Sequence, residues 1–422
     1  MSSVNKVIQF KINKSKEFAM NSPMVKHRKS SIVFAFLILA MQAALFAQSE
    51  KTIFVFNGTT DGGDPGGGLV ADSSGALYGT TMKGGSASLG TVFKLSPPSE
   101  KGAPWTESVL YSFQGGETDG ASPFYVTPAF DSHGNLYGTT ASGGANGVGT
   151  VFRLTPPSEP RGSWTESVIF SFSGNEDAVL AGVTIDAAGA IYGPEGGGAY
   201  QLLPSGGTWD YSVIYGPEGD DGNIPSSLTL SEGTLYGADT KGGNYYDGSV
   251  FTLEEGSNGE WEPDTIWSFS GARRDGSVPE STITLASGVV YGTTAYGASG
   301  YGMVYSLTPP AAPGGDWTET ILYEFTGGAN GAYPMGGVIF GSEGELYGTT
   351  SAGGSANLGT IFKVAPPTVN GDPWTCTVLH SFSGTNDDYG QPENTLLLRK
   401  GIFYGTTSGG ANKSGTVFEI TE

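Results

Sequence analysis

A sevenfold internal repeat is the feature that most constrains what this chain can fold into. The motif Leu-Tyr-Gly-Thr-Thr, or a degenerate form of it, recurs at intervals of 44 to 59 residues. Its tyrosines are Tyr78, Tyr137, Tyr192, Tyr236, Tyr291, Tyr347 and Tyr404. A period of this length is typical of propellers and solenoids, in which each repeat is one supersecondary unit.

Two further markers accompany the tyrosine motif. The first, Gly-Thr-Val-Phe-x-Leu or a variant of it, begins at Gly90, Gly149, Gly248, Gly302, Gly359 and Gly415. The second is a tryptophan followed by alternating apolar residues, at Trp105, Trp164, Trp209, Trp261, Trp317 and Trp374. A seventh copy of this apolar run lacks the tryptophan and stands at residues 52–56, ahead of every other marker. The chain therefore begins one strand out of phase with its own repeat.

Each repeat contains four strand-like runs separated by Gly, Pro, Asn and Asp, and no helical apolar period is present. In the second repeat the runs are residues 123–131, 135–140, 149–155 and 164–172. Glycine makes up 69 of 422 residues, which suits many tight turns, and the 12% of aromatic residues argues against disorder. The sequence predicts an all-β, seven-bladed propeller with four antiparallel strands per blade.

The order of the strands resembles that of kelch-type blades, in which the tryptophan strand is outermost. On that registration, residues 52–56 pair in the last blade and close the ring, which removes an open sheet edge. An open β-solenoid is the alternative, and it would need capping repeats at its ends.

Taken together, the repeated markers resemble the bacterial GloVer tandem repeat. The resemblance rests on Leu-Tyr-Gly-Thr-Thr, Gly-Gly and Gly-Thr-Val-Phe-x-Leu, joined through Pro-Pro to Trp-Thr-Glu, and it covers residues 51–422. It implies an exported protein. It implies no activity that could be transferred to named residues.

The N-terminal 47 residues read as a signal peptide. Lys26, Arg28 and Lys29 precede the apolar run 32–41, and small residues follow up to Ala47. A transmembrane helix is the alternative, but the apolar run is short for a membrane span. We expect cleavage after Ala47, no membrane insertion afterwards, and a soluble periplasmic or extracellular propeller at residues 48–422.

Charge and cysteine content restrict the partners. Removing residues 1–47 takes away seven Lys/Arg and one Glu, which leaves 13 basic against 40 acidic residues and a net charge near −27. Nucleic acid and anionic membranes are therefore not expected as partners. The single cysteine, Cys376, cannot form an internal disulfide. We expect a monomer that binds a glycan or a protein.

Most linkers before the first strands carry an Asp-Gly turn followed by proline, or a variant of it. The aspartates concerned are Asp61, Asp119, Asp221, Asp275 and Asp387. A ring of such carboxylates would bind Ca²⁺, because this hard cation prefers several oxygen ligands; no other cofactor is implied. The alternative is that Asp-Gly forms a tight turn and proline fixes the entry to the strand. Repetition in nearly every blade favours the structural interpretation.

The Thr-Thr-x-x-Gly-Gly loops offer hydroxyls to a sugar or, alternatively, glycines that permit tight turns; repetition again favours structure. A site is better sought where the symmetry breaks, in repeats three to five. Aromatic rings beside carboxylates are typical of carbohydrate sites. The best candidates for ligand contact are Glu195, Tyr245, Tyr246, Asp247, Tyr296 and Tyr301.

Catalytic signals are sparse. Two histidines follow the signal segment, His133 and His380, and neither stands near a metal-ligand or triad pattern in the sequence. Hydrolysis by two carboxylates stays open, because their separation cannot be read from a sequence. Three hypotheses follow: a non-catalytic binding propeller, a propeller glycosidase or polysaccharide lyase, and a structural component of the cell envelope.

Overall fold

A computed structural model describes residues 50–159, 162–173, 181–216, 225–271, 275–312, 314–369, 371–385, 388–409 and 414–421. These residues form seven four-stranded antiparallel sheets, which are the seven blades of a propeller. Apart from one 3₁₀ turn at Gly328–Asn330, the described part of the chain contains no helix. Within that part, no helix is long and apolar enough to cross a membrane. The predicted signal segment lies outside the described residues.

The strands of each blade follow one another from the inside outward. Blade one consists of β2 (Val70–Ala71), β3 (Leu77–Thr81), β4 (Thr91–Ser96) and β5 (Thr106–Ser112). Blade two consists of β7 (Ala129–Phe130), β8 (Leu136–Thr140), β10 (Thr150–Thr155) and β11 (Thr165–Ser171). Blade three consists of β12 (Thr184–Ile185), β13 (Ile191–Glu195), β14 (Gly198–Ser205) and β15 (Thr208–Tyr215). Blade four consists of β16 (Pro225–Ser231), β17 (Thr234–Asp239), β18 (Ser249–Glu255) and β19 (Trp261–Ser268).

The remaining blades repeat this plan. Blade five consists of β20 (Thr284–Ala286), β21 (Val289–Thr294), β22 (Met303–Thr308) and β23 (Thr318–Glu324). Blade six consists of β24 (Ile339–Phe340), β25 (Leu346–Thr350), β26 (Thr360–Ala365) and β27 (Thr375–Ser381). Blade seven consists of β28 (Leu397–Arg399), β29 (Ile402–Thr407), β30 (Thr416–Thr421) and β1 (Glu50–Val55). A short pair, β6 (Gly120–Ala121) with β9 (Ser142–Gly143), joins a linker to a loop.

The N-terminal strand closes the ring, as the phase of the repeat predicts. Strand β1 pairs antiparallel with β30 and is the outermost strand of blade seven. Lys51 on β1 forms an ion pair with Glu419 on β30 at 3.0 Å. Because β30 would otherwise present an open edge, this pairing supplies the last blade with its fourth strand.

The glycine of Leu-Tyr-Gly-Thr-Thr is required by packing. In blade two, a Cβ on Gly138 would lie 2.7 Å from Cζ of Phe152, the aromatic residue of the neighbouring strand. In each of the other blades, the aromatic residue equivalent to Phe152 covers the glycine equivalent to Gly138. These glycines are Gly79, Gly193, Gly237, Gly292, Gly348 and Gly405. The Leu-Tyr-Gly and Val-Phe markers are therefore two halves of one packing contact.

The first threonine of the motif links neighbouring blades. Thr80 in blade one donates a hydrogen bond to the carbonyl of Val126 in blade two, and Thr406 in blade seven donates to Gly67 in blade one. Equivalent bonds start from Thr139, Thr293 and Thr349. The second threonine is also buried, as in the Thr81–Thr91 hydroxyl pair at 2.8 Å. These hydroxyls are occupied by the fold and are not available to a sugar.

The tryptophan strands form the interfaces between blades. Trp164 on blade two packs against Tyr78 of blade one, with ring centroids 6.3 Å apart, and Trp105 packs in the same way on Tyr404 of blade seven. Seven clusters of buried apolar residues lie between successive blades, including one between blades seven and one. The core is thus a ring of blade interfaces.

The innermost strands are shorter than the sequence suggests. We predicted a strand over residues 123–131, but only Ala129–Phe130 forms one in blade two. Tyr125 has φ of 52°, a left-handed conformation that breaks the extended backbone. The other three strands of this blade match their predicted positions to within one residue at each end.

Candidate functional site

One face of the propeller carries two sets of loops. The loops between the second and third strands lie beside the linkers that enter the first strands, as shown by the β6–β9 pair in blade two. Equivalent backbone bridges join Gly63 to Lys83, Ser277 to Tyr296 and Ala332 to Ala352. We call this side the loop face; such a face is where a rigid propeller presents variable side chains to a ligand.

Four tyrosines are exposed on this face. Tyr245 and Tyr246 lie in the loop between β17 and β18 of blade four, with 58% and 66% of their surface accessible. Tyr296 and Tyr301 lie in the corresponding loop of blade five, at 47% and 39%. Among the described residues, these four are the only aromatic side chains in the exposed class. All four come from repeats four and five, two of the three repeats in which we expected a site.

The two tyrosine loops are held side by side by backbone hydrogen bonds. The carbonyl of Asp247 accepts from the amide of Val278, and Ser277 next to it pairs with Tyr296. The carbonyl of Tyr301 accepts from the amide of Tyr333 in the following linker. The aromatic loops of blades four and five and the linker to blade six therefore form one connected surface.

Tyr333 is the residue that sequence reasoning missed here. Its ring lies 5.6 Å from that of Tyr296 and 6.2 Å from that of Tyr301, so the three rings form a cluster. Tyr333 stands directly before Pro334 with φ of 56°, at the position occupied by Ser122 and Val278 in other linkers. Tyr333 could have been recognised in the sequence, because it is an aromatic residue at a linker position that is otherwise small, aliphatic or polar.

The structure does not bring Glu195 to this cluster. Glu195 ends β13 in blade three, is buried, and accepts a hydrogen bond from the hydroxyl of Tyr211 at 2.7 Å. Asp239 occupies the corresponding position of blade four, and burial raises the pKa of its carboxyl to about 7. Both acids stand where other repeats have the second threonine of the motif.

The described linker aspartates are turned toward their own loops. Asp119 is buried and accepts hydrogen bonds from the amides of Gln114 and Gly120 and from the hydroxyl of Tyr111. Asp275 accepts from Ser270 and Gly276 in the same manner, and Asp61 accepts from the amide of Asn57. These contacts support the turn interpretation. Asp221 and Asp387 lie outside the described residues.

A second set of acids lies where the inner strands begin. Glu280 and Glu393 each follow the linker proline, in blades five and seven, and the hydroxyl of Tyr125 from blade two donates to Glu393 at 2.5 Å. Burial, together with the charge of Glu393, raises the pKa of Glu280, and burial followed by the charge of Asp64 raises that of Glu393. We call Glu280, Glu393 and Tyr125 the central acidic group. In the sequence, this group could have been recognised from the glutamate that directly follows the linker proline in these two repeats.

Half-buried glutamates also recur at the blade interfaces. Glu107, Glu166 and Glu319 occupy one position of the outer strand, and each has a carboxylate oxygen buried without a hydrogen-bond partner. Burial first and a linker aspartate second raise their pKa values, to about 7 for Glu107 and Glu166 and about 8 for Glu319. Glu50 is the equivalent on β1, with its pKa also raised to about 7 by burial and by Asp388.

The profile of the Gloeobacter/Verrucomicrobia repeat matches residues 40–201 and 194–418. The chain belongs to this repeat family. The Gloeobacter/Verrucomicrobia repeat is the GloVer repeat to which the markers pointed, and its match confirms that resemblance. Among curated proteins, none matches the sequence.

Solved structures with the same fold differ widely in sequence. The extracellular domain of a protein assigned to the hybrid two-component systems of B. thetaiotaomicron is 11% identical, with a TM-score of 0.52. It matches 88% of this chain, which spans 39% of that one. An ancestral GH74 enzyme is 12% identical with a TM-score of 0.46, over 84% of this chain and 48% of the other. At 11% identity, the likeness to the first of these structures shows the fold alone.

Proposed function

We propose that this protein is an exported, non-catalytic binding propeller whose loop face binds a glycan. The observation that carries the proposal is the exposed tyrosine surface formed by Tyr245, Tyr246, Tyr296 and Tyr301. Aromatic rings stack on the apolar faces of sugars, while tyrosine hydroxyls bond to sugar hydroxyls. Export is supported by the signal-like segment before Ala47 and by the family resemblance.

The geometry of the surface supports a binding role. The rings of Tyr296 and Tyr301 are fixed against Tyr333, and Tyr301 also covers Gly327, where a Cβ would lie 2.9 Å from its ring. A ring that is already held in place loses little side-chain entropy when a ligand stacks on it. The half-buried carboxylate of Asp247 lies at the edge of the same surface and would accept hydrogen bonds from sugar hydroxyls.

A second candidate function is a glycosidase or polysaccharide lyase at the central acidic group. It is favoured by one observation, the pair Glu280 and Glu393 with raised pKa values beside the hydroxyl of Tyr125. A carboxyl whose pKa is raised by burial is the type of group that general-acid catalysis on a glycosidic bond uses.

The test is a glycan array with parallel hydrolysis assays on every glycan that the purified protein retains. We expect retention without cleavage, and we expect Tyr296→Ala and Tyr301→Ala each to weaken binding by about tenfold or more. The control is Val369→Ala, which removes an exposed apolar side chain from the loop between β26 and β27, at the opposite ends of the strands. It should leave binding unchanged.

The outcomes separate the candidates. Failure of the wild-type protein to retain any glycan would refute the sugar proposal. Cleavage of a retained glycan, abolished by Glu280→Gln or Glu393→Gln, would replace the binding function with the hydrolytic one. Retention that Tyr296→Ala and Tyr301→Ala leave intact would move the site away from the tyrosine surface.

A further inference from the structure

The interface between blades six and seven holds a cluster that the other interfaces lack. His380 on β27 makes a hydrogen bond at 2.8 Å between its Nε2 and Oδ1 of Asp388 in the linker. The same Nε2 lies 3.9 Å from Oε2 of Glu50 on the closing strand β1. One ligand atom from each residue falls within 4.8 Å of the others. The three side chains are largely shielded, with 21%, 19% and 6% of their surfaces exposed for His380, Asp388 and Glu50.

Comparison with the equivalent interfaces shows what is different. Between blades one and two, Tyr111 takes the place of His380, Asp119 that of Asp388 and Glu166 that of Glu50. Between blades four and five the corresponding residues are Trp267, Asp275 and Glu319. The aspartate and the glutamate are thus repeated features of the fold. Among the described interfaces, only the one at the ring closure adds an imidazole nitrogen to the two carboxylates.

The arrangement has the dimensions of a divalent metal site. Ligand atoms about 2.0–2.2 Å from a tetrahedral metal ion are separated from one another by roughly 3.4 Å. The two measured separations, 2.8 Å and 3.9 Å, lie on either side of this value. Both carboxylates are also oriented by further bonds, since the amide of Ser383 donates to Asp388 and the hydroxyl of Thr52 donates to Glu50. Such supporting bonds are typical of metal ligands.

We propose that Glu50, His380 and Asp388 bind a divalent transition-metal ion, of which Zn²⁺ is the probe of choice. Imidazole with two carboxylates suits Zn²⁺ and its neighbours in the first transition row, whereas Ca²⁺ takes six to eight oxygen ligands. The ion would offset the mutual repulsion of the two carboxylates and take the place of the hydrogen bond between Nε2 and Asp388. It joins blade six to the N-terminal strand and so fastens the closure of the ring.

The test uses the purified protein without a polyhistidine tag, freed of metal by a chelator. Isothermal titration with Zn²⁺ should show one tight site, and saturating Zn²⁺ should raise the melting temperature by about 2 °C or more. His380→Tyr introduces the residue that blade one carries at the equivalent position. The tyrosine hydroxyl can restore the hydrogen bond to Asp388 but offers no nitrogen ligand to the metal ion. We expect it to weaken Zn²⁺ binding by at least about tenfold.

The matched control is Glu107→Gln, because Glu107 occupies the position of Glu50 at an interface without histidine. It should leave Zn²⁺ affinity unchanged. Glu50→Gln keeps the side-chain shape and serves in place of His380→Tyr if circular dichroism shows that the tyrosine variant is unfolded. The proposal is wrong if the wild-type protein has no tight site or if Ca²⁺ stabilises the protein more than Zn²⁺ does. It is also wrong if folded His380→Tyr or Glu50→Gln binds Zn²⁺ as tightly as the wild-type protein.

Discussion

Gly138→Ala is the sharpest test of the packing that defines a blade. The new Cβ would lie 2.7 Å from Cζ and 2.9 Å from Cε1 of Phe152, and 3.1 Å from Cγ1 of Val126. Phe152 is fully buried, so its ring cannot move into solvent. Overpacking of this kind costs about 1–3 kcal/mol, and the reduced freedom of the unfolded chain offsets about 0.4–1 kcal/mol. We expect a net loss of about 1–2 kcal/mol in the free energy of unfolding.

The assay is urea denaturation followed by tryptophan fluorescence, with the double variant Gly138→Ala/Phe152→Leu. Because leucine lacks the ring atoms that collide, the added cost of Gly138→Ala should fall by about 1 kcal/mol in the leucine background. Gly216→Ala is the control, since the nearest atom to its Cβ would be 3.8 Å away. A loss below about 0.5 kcal/mol for Gly138→Ala, or an equal cost in both backgrounds, would refute the argument.

Two other predictions concern the blade interfaces. Burial and Asp275 raise the pKa of Glu319 from 4.5 to about 8 in the folded protein, so the folded state keeps a proton that the unfolded chain releases. Its contribution to stability therefore falls as the pH rises from about 4.5 to 8. Denaturation curves recorded across this range should show that Glu319→Gln reduces the dependence of the free energy of unfolding on pH. Glu117→Gln, at an exposed position, should not change this dependence. Thr80→Val removes the buried donor to Val126 at 2.9 Å and should cost about 1–3 kcal/mol; the exposed Thr106→Val, measured in the same way, should change stability by less than about 0.5 kcal/mol.

The fold followed from the sequence because its markers are local and repeated. Each blade needs a glycine under an aromatic ring, which recurs in all seven repeats, and five of the seven repeats carry the motif threonine that bonds to the next blade. The phase of the repeat also predicted that residues 52–56 would close the ring, and β1 confirms it. The first strand of the second repeat was predicted too long because nothing in the sequence announced the left-handed Tyr125.

The candidate sites were less accessible to sequence reasoning. Departures from the repeat singled out Tyr245, Tyr246, Tyr296 and Tyr301, and the structure places all four on one exposed face. Clusters assembled from distant repeats could not be found in this way. Glu50 and His380 are 330 residues apart, and Tyr125 meets Glu393 across 268 residues. Glu50 meets His380 only after the ring has closed, and Tyr125 meets Glu393 although blades two and seven are not neighbours, so no local pattern marks either contact.

The pairing of β1 with β30 also governs when this protein can finish folding. Lys51 and Glu419 are separated by 368 residues, so the ribosome makes the outer strand of the last blade long before the strand with which it pairs. At about 5–20 residues per second, the first strand waits roughly 20–70 s for the strand that it will cover. Blades one to six can form in order as the chain lengthens, but the seventh waits for the last strand. The seventh blade is therefore the last to be completed.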